Sequence, residues 1–390
     1  MKKNQLLLTV ESMAILVGTI VSAGIFVLPY INIRSGLLAT NVWLILLGIL
    51  VCVLHLIFGE IVLRTKGDYK LPGYAGIYLG KTVKRFFGFA SVLTLAFSLL
   101  IFIIMVNNFV QILFFQHMAY LKPYSFVLVW FLLNLFLFFK YAKVSKCNFF
   151  LTFVLIGLMG VVSFLCISKI DFSSVLNFSR LLFTKDFYAS YGVVLFSFDG
   201  LVAMPIMFSL LRSKKAAKKV FKRSVILAFA FVVALYFVFM NAISLLSRGS
   251  TSIDAISGLA PFFGPVLVLI GSILGILAIS TGYITFSFYY KEMLQSDFKI
   301  SNAKSILITM FLPLVFLLLG ATKVDDLMSL TGGIMGGLVG IIILFVYKKA
   351  KETSKVKPAY SLNLPNWSLV VIGGIWFLGS MSQVFLRMIK

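Results

Sequence analysis

Residues 18 to 29, GTIVSAGIFVLP, set two glycines, a serine and a threonine inside a long apolar stretch. In hydrocarbon an unpaired N–H or C=O is costly, so non-helical backbone persists only where protein or a polar cavity satisfies it. A spanning helix opened at mid-membrane offers carbonyls at the end of its first half and N–H groups at the start of its second, with partial charges of opposite sign. A zwitterion fits between them. The competing reading is that glycine here only lets two helices approach closely. A second interruption, YGVVLFSFDGLVAMP at 191 to 205, carries Ser197, Asp199 and Gly200 in mid-span and Pro205 beyond. A charged aspartate at that depth costs roughly 2.5 to 3.5 kcal/mol on insertion scales, and such residues usually pair, titrate or touch a substrate. Asp199 therefore has two readings: it meets a substrate ammonium or carries a coupling proton, or it caps the half-helix that begins at Gly200.

The elements that must hold these breaks are membrane spans. The chain of 390 residues is 61% hydrophobic and 12% charged, and its apolar runs repeatedly approach the roughly 20 residues a spanning helix needs. Eleven segments are expected, at 8 to 29, 39 to 63, 86 to 115, 124 to 139, 148 to 168, 188 to 211, 224 to 247, 262 to 290, 305 to 321, 327 to 347 and 368 to 386. No soluble domain fits between them, so residues 1–390 read as a single integral membrane unit. The start, MKKNQLLLTV, runs into the first span without an A-x-A cleavage pattern and is not read as a signal peptide.

The net charge of +23 would suit a nucleic-acid partner, but its distribution points to topology instead. With the N-terminus cytoplasmic, 26 of the 35 Lys and Arg fall inside and 9 outside, as the positive-inside rule requires. The densest run, RSKKAAKKVFKR at 212 to 223, is suited to anionic lipid headgroups. Cys52, Cys147 and Cys166 lie in or beside spans without metal-ligand spacing and are expected as free thiols. The sequence sets no oligomeric state.

Two broken helices five segments apart suggest an internal repeat. Because five is odd, the second unit enters from the opposite face, which makes 8–168 (helices 1 to 5) and 188–347 (helices 6 to 10) an inverted pair, with 368–386 as an additional helix 11.

GTIVSAGIFVLP resembles the first-helix signature of the amino acid, polyamine and organocation (APC) transporter superfamily, and FSFDG at 196 to 200 resembles its sixth-helix break. AISTGY at 278 to 283, together with GEIVLR at 59 to 64, a basic loop and a long third helix, is similar to aromatic, hydroxy and auxin-type amino acid permeases. The likeness runs over nearly the whole chain up to segment 10. It implies an all-α polytopic protein with a LeuT-like 5+5 fold, working as a secondary amino acid transporter in the cytoplasmic membrane. It also implies that the backbone N–H groups of Ser22, Ala23 and Gly24 hold the substrate carboxylate, while carbonyls of Thr19, Ile20, Phe196 and Asp199 receive the ammonium, beside Ser197. Phe196 stands where such proteins often place an occluding aromatic.

Tyr283, Asn107 and Asn108 are expected to line the pocket, against the reading that they knit helices together. For Ser280 and Thr281 the resemblance implies, with the carbonyls of Gly18 and Val21, a Na⁺ site of oxygen ligands. The other reading has both hydroxyls bonded back within their own helix. A helix 5 lysine used by some proton-coupled relatives has no counterpart between Asn148 and Ser168, so the coupling ion, H⁺ or Na⁺, is left between these groups. His55 and Glu60 are read as structural, the latter paired with Arg64 one turn on. The loop TKGDYKLPGYAGIYLGK is expected to form a short surface helix that latches the cytoplasmic side.

No cofactor is implied: a Walker A pattern is absent, and two histidines with scattered carboxylates form no catalytic constellation, so an enzyme is not expected. The alternative to a carrier is an amino-acid-sensing membrane receptor subunit of the same fold, like spore-germinant receptors.

Overall fold

The computed structural model describes residues 3–114, 122–139, 141–171, 187–211, 217–358 and 360–389. They are helical almost throughout, and no strand occurs among the described residues. The chain opens with α1 (Lys3–Ile20) and α2 (Ala23–Ser35), a pair bent by 55° that forms one broken span. Next come α3 (Leu37–Arg64), the short α4 (Leu71–Leu79), α5 (Lys81–Phe114), α6 (Lys122–Leu135) and α7 (Tyr141–Lys169). The second broken span is α8 (Ala189–Ser197), a 3₁₀ turn at Leu201–Ala203, and α9 (Met204–Leu211). α10 (Ala217–Ser247), α11 (Ala260–Phe298) and α12 (Asn302–Leu318) follow. α13 (Val324–Met328), a π-helical stretch at Ser329–Gly336 and α14 (Gly337–Thr353) run on as one span, and α15 (Asn366–Ile389) ends the described chain.

Each of the eleven expected segments falls on a helix, but they do not all qualify as spans. Among the described residues, eight helices are long and apolar enough to cross a membrane, nine when the α1–α2 pair counts as one. The segments expected at 124 to 139 and 305 to 321 fall on Tyr124–Phe138 and Asn302–Leu318, which are apolar but shorter than the roughly 20 residues a perpendicular crossing takes. Large apolar side chains such as Phe131, Phe164, Leu318 and Val370 stand exposed, the surface a lipid-facing bundle presents. The protein is multi-pass and helical. Of the basic run at 212 to 223, residues 212–216 lie outside the described residues, as does the side chain of Cys147; Cys52 and Cys166 are free thiols.

Two groups of helices position the breaks. In the first, α1 and α2 pack on α10, α2 also packs on α8, and α3 packs on both α8 and α10. In the second, α5 lies along α11 for much of its length, with α12 and α6 against that pair. Polar ties hold the first group: Asn241 on α10 exchanges bonds of 2.9 Å with Asn41 on α3, and Ser244 donates to the Pro29 carbonyl of α2 at 3.1 Å.

The face that carries the start of α1 is laced by two loops. Asp297, buried near the end of α11, accepts the N–H groups of Gly73 (2.7 Å) and Lys70 (3.1 Å) and so caps α4 from outside its own chain segment. Residues 360–365 run across α3 as a strap. Glu60, fully buried, pairs with Arg64 (2.7 Å) as expected and also accepts the N–H of Leu362 (2.6 Å) and the hydroxyl of Ser361 (3.0 Å). Tyr360 donates to the Leu56 carbonyl (2.6 Å) and stacks on Phe221; burial, with Glu60 nearby, raises its phenol well above the usual range.

Candidate functional site at the paired breaks

The first break is built from backbone. Val21 still donates to Val17 at 2.8 Å, but the Ser22 N–H turns back to the Ile20 carbonyl at 2.9 Å, which releases the Gly18 carbonyl it would meet in a continuous helix. Ser22 sits at φ −138°, ψ −128° and places no side-chain cap on α2, so the first N–H groups of α2 lack intrahelical partners. Small residues are required here. A Cβ on Gly24 would lie 2.6 Å from the Cα of Ser197, so the start of α2 touches the end of α8 backbone to backbone.

The second break faces the first across the same contact. A Cβ on Gly200 would come 2.7 Å from the Ile20 side chain. Asp199 accepts the Leu201 N–H at 3.4 Å, a short-range turn contact of the capping kind. Tyr236, buried on α10, joins the two breaks: its hydroxyl lies 2.9 Å from the Ile20 carbonyl and 3.0 Å from that of Ser197. The Ile20 carbonyl, expected to wait for an ammonium, thus already faces a donor. Tyr236 escaped the sequence reading because a tyrosine amid apolar residues in a span carries no distinguishing pattern.

A cavity of about 720 Å³ of empty space, counting its mouth, opens beside the second break. Phe196 and Asp199 line it, together with Leu71, Tyr289 and Met293 toward the α4 face, and Thr331 and Gly332 of the π-helical stretch. Ser91 and Thr94 of α5, His55 of α3 and Trp376 of α15 add to its polar lining. The close approach of Gly332 to the Gly192 carbonyl and the Phe196 backbone shows why the widened helix turn sits there; π turns recur at functional sites.

The remaining expected site residues divide. Ser22 abuts Gly282, where a Cβ would lie 2.8 Å from the Ser22 Cβ, so α11 touches the first break one residue beyond Thr281. Thr281 donates to the Ala278 carbonyl at 2.7 Å, the back-bonded arrangement, which leaves its oxygen lone pairs available. Gly18 packs on the Thr152 hydroxyl of α7. Thr19 and Ser197 are buried and donate within their own helices, to Ile15 (2.9 Å) and Val193 (2.8 Å). Ala23 is buried in the same contact.

Asn107 and Tyr283 do not line the cavity. Asn107 accepts from Ser125 at 2.7 Å and Tyr283 donates to Asn134 at 2.8 Å, so both join α6 to the α5–α11 pair. Asn108 is only half-buried and does not line the cavity either. No cluster of three His, Cys, Asp or Glu side chains suited to a metal occurs among the described residues.

Two broken helices meet backbone to backbone in a multi-pass helical membrane protein, and the second of them lines a cavity. The model of the tryptophan/tyrosine permease family matches residues 5–377. The chain belongs to the tryptophan/tyrosine permease family, a group of amino acid permeases, which points to a transporter rather than an enzyme and supports an aromatic amino acid as its cargo. No curated protein gives a significant match to the chain.

Proposed function

We propose that the protein is a secondary carrier moving an aromatic amino acid through the cytoplasmic membrane by alternating access. The observation that carries this reading is the contact between Gly24 and Ser197, which joins the first break to the end of α8, the helix end whose Phe196 and Asp199 line the cavity. In this reading the α2 N–H groups of Ser22, Ala23 and Gly24 take the carboxylate and the carbonyls around Thr19, Ile20 and Phe196 take the ammonium. Phe196 covers the solute.

The LeuT-like inverted repeat of 8–168 and 188–347 is part of the same proposal. It is supported by the way elements five spans apart pack on each other: α2 on α8, α3 on α10 and α5 on α11. A two-fold axis in the membrane plane brings such counterparts together. With the N-terminus cytoplasmic, as the Lys and Arg distribution favours, the cavity opens inward and the outer side is closed by α2, where Arg34 pairs with Asp325 at 2.8 Å.

Coupling is assigned to Asp199 when the ion is H⁺ and to Ser280, Thr281, Gly18 and Val21 when it is Na⁺. Uptake of labelled tryptophan and tyrosine into liposomes under an imposed H⁺ or Na⁺ gradient tests both. Saturable accumulation driven by one gradient is expected, and saturable binding without accumulation would instead indicate a sensor. Asp199→Asn retains an oxygen for the Leu201 N–H, so it should leave the melting temperature nearly unchanged and abolish pH-driven accumulation. Unchanged uptake and pH dependence would exclude Asp199 as the coupling group.

A further inference from the structure

Among the described residues, nine buried side chains hold a polar atom with no hydrogen-bond partner, and three of them, His55, Thr331 and Trp376, line the same cavity. Buried polar groups are nearly always satisfied, so three orphans around one space mark a place where a polar ligand supplies the missing partners. His55 is the most informative of the three because its two ring nitrogens have different roles. Nδ1 lies 2.9 Å from the Val51 carbonyl one turn back. A carbonyl can only accept, so Nδ1 carries the hydrogen, and in the neutral imidazole Nε2 is left as an acceptor. The ring is fixed edge-on to Phe229, with centroids 4.8 Å apart. It lies at the second break beside the Gly200 backbone, where a Cβ on Gly200 would come 3.1 Å from Nε2.

We propose that His55 reads the side chain of the transported amino acid, its Nε2 accepting a hydrogen bond from the indole N–H of tryptophan or the phenol O–H of tyrosine. The inference rests on the carrier reading above and deepens it, since it separates amino acids whose aromatic side chain bears a donor from those without one. Phenylalanine, filling the same apolar space, leaves Nε2 buried and unpaired. A site built to pair a substrate O–H or N–H rejects analogues lacking it far more strongly than a purely apolar pocket does. The Trp376 N–H and the Thr331 hydroxyl give a phenol oxygen donors in the same cavity, whereas an indole needs only the acceptor.

The test is displacement of labelled tryptophan from the purified full chain in detergent by tyrosine, phenylalanine and 3-benzothienylalanine, in which sulfur replaces the indole N–H at nearly the same shape. In the native protein, phenylalanine and the sulfur analogue should bind at least about tenfold more weakly than tryptophan. His55→Leu should bring tryptophan to within roughly threefold of the sulfur analogue, and His55→Gln, which keeps an acceptor oxygen, should retain part of the discrimination. Equal binding of tryptophan and its sulfur analogue by the native protein would overturn the inference and leave the carrier reading intact, as would full discrimination by His55→Leu. Failure of both tryptophan and tyrosine to bind would overturn the carrier reading itself, and this inference with it.

Discussion

Tyr236 has one hydroxyl hydrogen and two backbone carbonyls, those of Ile20 and Ser197, within reach of it. Removing the hydroxyl leaves both oxygens in a buried place with one donor fewer, which costs about 1 to 3 kcal/mol. Tyr236→Phe should therefore lower the melting temperature measured in detergent and slow uptake in liposomes, because the two broken helices lose the tie that sets their spacing. His55 and Tyr236 show what a single sequence conceals at this scale. Each becomes informative only through a partner far along the chain, Gly200 for one and the paired breaks for the other, and neither partner is visible from its own helix. Asn107 and Tyr283 show the converse. Polar residues in a span look like pocket linings, yet Ser125 and Asn134 on α6 take up their hydrogen bonds.

At the level of elements, α4 is held by a side chain it does not own. The Asp297 carboxylate takes two N–H groups at its start, and Lys70 reaches Glu292 of α11 at 2.7 Å. Losing a cap of this kind costs about 1 to 2 kcal/mol. Asp297→Ala should speed proteolytic cleavage between residues 65 and 80 in inverted or solubilised preparations, with little change in the unfolding of the helical core. The short helix was legible from Pro72 and Gly73; its anchor was not, because a carboxylate at the end of a span reads as an ordinary surface charge. The breaks themselves were the most legible elements. Gly, Ser and Thr in the middle of an apolar run conflict with hydrocarbon, and that conflict is visible without any structure. The π-helical turn at Ser329–Gly336 left no such mark, since its glycines equally suit close packing.

For the whole molecule, Leu71, Tyr289 and Met293 line the cavity on the α4 side, where the carrier reading places its mouth, while α2, α8 and α13 pack on one another. A cysteine placed at Val202, which lines the cavity, should be labelled by a membrane-impermeant thiol reagent applied from the face of the N-terminus, and tryptophan should protect it. Labelling from the other face alone would contradict the arrangement. That the chain is a multi-pass helical membrane protein was readable from composition because the bilayer imposes a length on any helix that crosses it; the number of spans was not, since two of the eleven expected segments fall on helices shorter than a crossing. Nor was the role of the last helix, since α15 stands outside the proposed repeat and its Trp376, which packs on Gly340 of α14, lines the cavity.

That wall has a further consequence for a carrier that alternates. In the proposed inverted repeat the two halves are related by a two-fold axis and would offer a solute equivalent walls from either side. α15 lies outside those proposed halves, so in the carrier reading the Trp376 N–H belongs to one opening alone, and solute affinities measured from the two faces of the membrane should differ.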